Sequence, residues 1–457
     1  MRTGELGHWW HSLGGPPPPR PPLAGPAQAD VAIVGGGFTG LWTAYYLKRS
    51  APSLRVLVLE AEIAGFGASG RNGGWVSGFF SGPPRLYERA RPGGYASLQR
   101  AMFETVEEIE RVLASERIEA DFVRGGHLGV ALGPAQLAHL REAISAARAH
   151  GVSEQDLREL DGRELAERVR VQGAIGGSFS PHVARAHPAK LLSGLAAAVE
   201  RLGVAIHEST PVLEISPHRA LTAHGEVSAR WVVRATEGYT PSLRRQRRTL
   251  VPINSSMVVT EPLPEAAWEQ IGWRGSELIG DEAHVYVYLQ RTADGRIALG
   301  GRGAPYRYGS RTDGRGAIAA STVASLQAKL AEMFPAAART PLEHAWSGVL
   351  GVSRDWAISA QADPRSGLAW AGGYVGEGVA AANLAARTLR DLILGESSAL
   401  VELPFVGRSP RRWEPEPLRW CGIQGVYALY RRADRLEQRS GRPSRLGRLV
   451  DSLSGRV

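Results

Sequence analysis

The sequence predicts a mixed α/β protein, α+β overall, in which a nucleotide-binding βαβ unit is interleaved with a second domain built on an antiparallel sheet. Two observations predict it. The first is DVAIVGGGFTG at Asp30–Gly40, followed by RVLVLEAE at Arg55–Glu62. It reads as strand, glycine turn, helix, strand and acid, the order of a Rossmann-like unit. The second is the stretch from Val251 to Gly301, where Val251–Thr260, His284–Gln290 and Arg296–Gly301 look like antiparallel strands with no helical pattern between them.

Residues 1–27 hold the run GGPPPPRPPL and read as a stiff Pro-rich arm. In the unit that follows, Gly35 permits a tight turn, Gly37 lets the backbone approach a pyrophosphate, and Gly40 lets helix and strand pack closely. The helix N-terminus offers free N–H groups to phosphate. Glu60 ends the second strand, where a carboxylate binds ribose hydroxyls. A second glycine cluster, GFGASGRNGGW at Gly65–Trp75, follows at once. Its small residues and free N–H groups suit a ribityl chain and the rim of an isoalloxazine ring, with Ser69, Arg71, Asn72 and Gly73 as contacts. An NAD enzyme has no need of such a loop, so FAD is the expected dinucleotide.

Helices are expected at Tyr95–Ala114, Leu137–His150, Gly162–Arg168, Pro188–Leu202 and Gly316–Phe334, with strands at Gly125–Leu132, Val204–His207 and Val227–Ala235. GLAWAG at Gly367–Gly372 is a last short strand. It leads through Gly373, Gly376 and Gly378 into a helix over Val379–Leu394. This order assigns 28–90, 171–248 and 344–400 to the FAD-binding domain, and 91–170 and 249–343 to the substrate domain. Residues 401–457 form a basic tail with a helix near Trp420–Arg439, whose stripe of Trp420, Ile423, Tyr427 and Tyr430 is expected to dock on the body.

At 457 residues the chain is long enough for two cored domains. No apolar stretch reaches transmembrane length, and the N-terminus lacks the layout of a secretory signal. The single cysteine, Cys421, excludes an internal disulfide and suits a reducing cytoplasm. The formal charge of +9 invites a nucleic-acid reading. Of 54 basic residues, however, only Lys48, Lys190 and Lys329 are lysines, and the arginines are spread along the chain. The charge therefore reads as compositional, and no specific nucleic-acid partner and no metal site are expected. The oligomeric state is not legible.

DVAIVGGGFTGL, VLEAE, GASGRNGG, HPAKLLSGLA and GGYVGEGVAAANLAARTL together resemble the D-amino-acid oxidase superfamily of FAD enzymes, over about Trp9–Gly395. The resemblance implies FAD-dependent oxidation of a C–N bond in a small amine or amino acid, with oxygen as acceptor or, alternatively, an electron carrier or quinone. A flavoenzyme acting on modified RNA is a further alternative. The resemblance also implies that the Val212 backbone contacts adenine. The helix starting near Val379 would aim its N-terminus at the flavin N1–O2 edge, where reduced flavin carries negative charge. Some relatives attach FAD through Cys or His; Cys421 lies in the tail and the loop has no His, so the FAD is expected to be non-covalent. Some also use a lysine on a strand like Arg296–Gly301, which has none here.

Pocket-wall candidates are Trp75, Trp346 and Tyr374, aromatics able to hold an amine by cation–π contact, and Tyr286 and Tyr288, which alternate on one strand. Glu377 either draws in a cationic amine or caps the last helix. Arg302 and Arg354 are candidates for a bidentate grip on a substrate carboxylate, or else surface ion pairs. No catalytic acid or base is assigned, because hydride removal from a neutral amine needs none in principle.

Overall fold

The computed structural model describes residues 1–301, 305–312 and 315–454. Five strands form a parallel core in the order Leu368–Gly372, Gly225–Arg234, Ala27–Val34, Val56–Leu59 and Ala205–His207. The apolar run of Ala27–Val34 pairs in register with both neighbours, Val31 opposite Val56 and Trp231, Val34 opposite Leu59 and Arg234. The antiparallel pair Val212–Ser216 and Arg219–Thr222 extends this sheet, and Ser359–Asp363 pairs antiparallel with Leu368–Gly372. Helices Phe38–Ser50 and Gly378–Leu394 pack against each other over it. Gly40 is obligatory here: a Cβ would stand 2.0 Å from the Gly35 carbonyl oxygen.

The second sheet has nine strands, running from Arg2–Thr3 through Leu342–Val352, Val251–Thr260, Ile297–Gly301, Val287–Arg291, Leu278–Asp281, His127–Ala131 and Gly176–Ser180 to Arg158–Asp161. Its central pairings are antiparallel, as the pattern over Val251–Gly301 requires.

Two strands depart from the boundaries drawn on the sequence. Gly176–Ser180 and Leu342–Val352, grouped there with the nucleotide-binding segments, pair in the nine-stranded sheet. Leu342–Val352 runs beside Val251–Thr260 over its whole length, Val352 opposite Val251 and Leu342 opposite Thr260. A buried apolar strand carries no mark of which sheet it joins; the partner's register decides that. Strand structure also begins at Val287 rather than His284, because the His284 and Val285 N–H groups donate to Asp434 of the tail.

The N-terminal segment is more than an arm. Arg2–Thr3 pairs with Leu342–Val352, and His8–His11 is a helical turn whose Trp9 and Trp10 are each 2% exposed. The tail helix, Leu418–Ser440, docks as expected through Ile423, Tyr427 and Tyr430, while Trp420 stays exposed. Ile423 and Tyr427 join a cluster with Val251, Ile253 and Val352, and His284 bridges to Glu437 at 3.1 Å. Among the described residues no helix is long and apolar enough to cross a membrane.

Candidate active site

A cleft of about 470 Å³ opens at the carboxyl ends of the parallel strands, against Val34, Leu59 and Ala235. This is where open α/β sheets bind ligands. Its walls include Gly35, Gly37, Glu60, Ser69, Asn72, Val212, Tyr374, Gly376, Gly378 and Val379. Gly35, at φ 112°, turns the chain in a conformation that favours glycine, and a Cβ there would meet the Ala235 carbonyl oxygen at 2.5 Å. Gly37 is the N-cap of helix Phe38–Ser50 and leaves that end of the cleft bare of side chain. Ser69 Oγ accepts from the Phe38 N–H at 2.9 Å, so the second glycine loop is tied to the first turn of the helix.

Glu60 accepts from the Gly36 N–H at 2.6 Å and from the Glu62 N–H at 3.0 Å. Burial pushes its carboxyl above the ordinary range, and these two donors oppose that shift.

The loop Gly65–Trp75 is backed by tryptophans. Trp9 Nε1 donates to the Asn72 carbonyl at 2.7 Å, and Trp346 Nε1 donates to the Arg71 carbonyl at 2.9 Å. Trp10 fills the space a Cβ on Gly70 would need, with its Nε1 2.5 Å from that position. Trp346 is therefore a wholly buried support of the loop rather than a pocket wall, because its indole faces Trp9 and the N-terminal segment. Arg71 is 3% exposed, with its guanidinium 4.6 Å from the Phe66 ring. Its Nε and Nη2 have no partner among the described residues.

A second cavity, about 340 Å³, adjoins the first; Ala68, Asn72, Leu350, Gly376 and Val379 line both. Arg71, Gly73, Trp75, Tyr286, Tyr288 and Glu377 line it, as do residues the sequence reading missed, among them Phe79, His127, Asp281 and Glu282. Tyr374 belongs to the first cleft instead, with its hydroxyl 2.9 Å from Thr39 Oγ1. Glu377 occupies the N-cap position of helix Gly378–Leu394, but its side chain makes no capping bond and faces this cavity. Arg354 pairs with Glu414 of the tail at 3.0 Å and lines neither cavity. Arg302 lies outside the described residues.

Glycines and one half-buried acid shape the turn between the last strand and this helix. Gly373 does not line the cleft; its N–H donates to Glu237, as does that of Tyr374, both at 3.1 Å. Burial pushes Glu237 up to about 7. Glu237 and Val375 both hold positive φ, 39° and 58°. Such strain is costly for a β-branched residue and persists only where the surroundings enforce it. Glu237 carried only a weak signal in the sequence, an acid three residues past a buried strand.

The donor set fits a dinucleotide. Bare backbone stands where a pyrophosphate would lie, an acid stands at the end of the second strand, and Arg71 holds unsatisfied buried N–H groups in the wall of the adjoining cavity. The comparisons agree. Residues 30–392 match the model of the family described as FAD dependent oxidoreductase. The chain is 30% identical over 394 residues to gamma-glutamylputrescine oxidoreductase of Escherichia coli, covering 82% of this chain and 86% of the relative. It is 26% identical over 395 residues to a Haemophilus influenzae protein named "Probable oxidoreductase OrdL", covering 83% and 86%. The crystal structure of glycine oxidase from Geobacillus kaustophilus shares the fold, with a TM-score of 0.70, 20% identity, and coverage of 83% of this chain and 98% of that one. The chain belongs to the FAD-dependent oxidoreductase family.

Proposed function

We propose that this FAD-dependent oxidoreductase oxidises the C–N bond of a small amine or amino acid, removing hydride from the carbon beside nitrogen. The resulting imine hydrolyses to a carbonyl compound and ammonia or an amine. The observation that carries this reading is the shared wall of the two cavities: a substrate in the second has direct access to a cofactor in the first.

In this reading Gly35, Gly37, Gly40, Glu60, Ser69, Asn72 and Val212 hold or shape the dinucleotide half of the cleft. Arg71, Gly73, Gly376, Gly378 and Val379 surround the reacting end. Bound FAD supplies the two-electron acceptor. Helix Gly378–Leu394 sets its positive N-terminal end at the wall common to both cavities, where negative charge collecting on an acceptor is stabilised. Trp75, Phe79, Tyr286 and Tyr288 exclude water and hold the amine as a neutral base or ammonium. The FAD is non-covalent, since Cys421 is exposed on the tail helix. The two sheets act as the cores of interleaved cofactor and substrate domains. Oxygen is the acceptor, an electron carrier the alternative, and the compartment is a reducing cytoplasm.

The test is anaerobic mixing of holoenzyme with panels of amines, amino acids and 2-hydroxy acids. Bleaching of the flavin by amines or amino acids is the expected result. Bleaching by 2-hydroxy acids alone overturns the C–N assignment. Rapid re-oxidation in air with hydrogen peroxide identifies an oxidase, slow re-oxidation a dehydrogenase.

A further inference from the structure

The second cavity has two unlike ends. Ala68, Asn72, Leu350, Gly376 and Val379 face the cofactor cleft. Glu282, by contrast, lines the second cavity alone and stands over the strand His127–Ala131. Gly129 makes room for it: a Cβ there would lie 2.6 Å from Glu282 Oε1. Glu282 is half-buried in the cavity wall and has no hydrogen bond and no ion pair among the described residues.

Its neighbours do not supply the missing partner. Asp281, the adjacent acid, is already satisfied by the Val287 N–H at 2.7 Å and by Lys329 Nζ at 3.6 Å. His127 is held neutral, because burial lowers it to about 4. A half-buried acid without a partner in a cavity wall is readily completed by a cationic ligand.

Aromatic rings complete the surroundings. Trp75 lies 5.2 Å from His127 and 6.0 Å from Tyr288, and Phe79 lies 6.5 Å from His127. Several ring faces beside carboxyls, with Asp281 and Glu377 in the same lining as Glu282, are the chemistry that recognises an alkylammonium group. An aliphatic tail would leave Glu282 uncompensated, and a carboxylate tail would be repelled by it.

We infer that the substrate carries a second cationic nitrogen, held by Glu282 within the Trp75–Phe79–His127 aromatic arc, while its reacting amine stands at the wall shared with the cofactor cleft. The substrate class is thus an α,ω-diamine or an amine with a distal ammonium, and Glu282 determines specificity. This inference rests on the proposed C–N oxidation and deepens it.

The test uses holoenzyme and three series matched in chain length: α,ω-diamines, n-alkylamines and ω-amino acids. Flavin reduction at limiting concentration should be at least tenfold faster with the best diamine than with its monoamine counterpart. Glu282→Gln should lower that ratio by roughly tenfold to a hundredfold, the range for a lost charge-assisted contact, and Glu282→Asp should restore part of it. The flavin spectrum verifies that each variant is folded and loaded. Equal rates with monoamines, faster rates with ω-amino acids, or an unchanged ratio in Glu282→Gln overturns the inference. A bis-quaternary tetramethylene dication, which cannot be oxidised, reads the site without turnover. It should perturb the wild-type flavin spectrum at concentrations at least tenfold lower than in Glu282→Gln. If no amine reduces the flavin but this difference holds, the C–N reading fails and the cation site stands; equal titrations mean the cation site fails.

Discussion

The two cavities share a wall but are built from different materials. The cofactor cleft is made largely of backbone: glycines at Gly35, Gly37, Gly376 and Gly378, strand ends, and two helix N-termini. The second cavity is made of side chains brought from the second glycine loop, from His127, from Asp281–Tyr288 and from Ser255. A pyrophosphate is the same in every dinucleotide enzyme, so its cradle depends on local geometry that short motifs encode. An amine substrate varies from enzyme to enzyme, and its pocket depends on side chains exchanged without disturbing the sheet that carries them.

If this contrast is right, damage to the cleft should abolish cofactor binding, whereas damage to the second cavity should change selectivity with FAD still bound. The largest effect is expected for Gly37→Val. Its Cβ would stand 2.8 Å from Ser69 Oγ, the acceptor of the Phe38 N–H, and its methyls would fill the phosphate end of the cleft. The purified variant should be colourless, and yellow protein with a normal flavin-to-protein absorbance ratio would contradict the placement.

Next is Trp10→Ala, which tests whether the N-terminal segment is part of the cofactor site. Removing a wholly buried indole costs about 3–5 kcal/mol, here behind the Gly65–Trp75 loop. Urea unfolding should show that loss, with weakened FAD retention on gel filtration. A stable variant that keeps its FAD would return residues 1–27 to the status of an arm.

The smallest effect is expected for Glu237→Gln. Weakening a half-buried carboxyl's contacts to Gly373 and Tyr374 should cost about 1–3 kcal/mol. The pH dependence has a definite sign. Burial raises Glu237 to about 7 in the folded protein, so the fold favours the protonated acid. Its contribution is fully present below the unfolded value and is lost as pH rises towards 7. The apoprotein's stability relative to Glu237→Gln should therefore fall between about pH 4.5 and 7 and then level off. A constant difference across that range would show that Glu237 is ionised throughout.

The same contrast explains what could be read in advance. Asp30–Glu62 was legible because strand, glycines, helix and acid are contiguous, and each glycine answers a local steric demand. Trp346 and Glu282 were not legible. Trp346 has the composition of a pocket wall, yet its indole turns to the Arg71 carbonyl and Trp9. Nothing near Glu282 in sequence marks it; it becomes a cavity residue only when Leu278–Asp281 pairs with His127–Ala131, about 150 residues away, and Gly129 comes beneath it. Trp9 and Trp10 did carry a signal, since two adjacent tryptophans in a polar, Pro-rich stretch are unusual for a free arm.

The sequence alone determined the cofactor class, the parallel unit that binds it, and the tail's docking residues Ile423, Tyr427 and Tyr430, because periodicity and glycine spacing are properties of neighbours along the chain. Tertiary structure decided the sheet joined by Leu342–Val352, the burial of the N-terminal tryptophans, and the side chains that meet around the substrate. These depend on strand register and on contacts between distant segments, whose free energy appears only when the sheets are assembled.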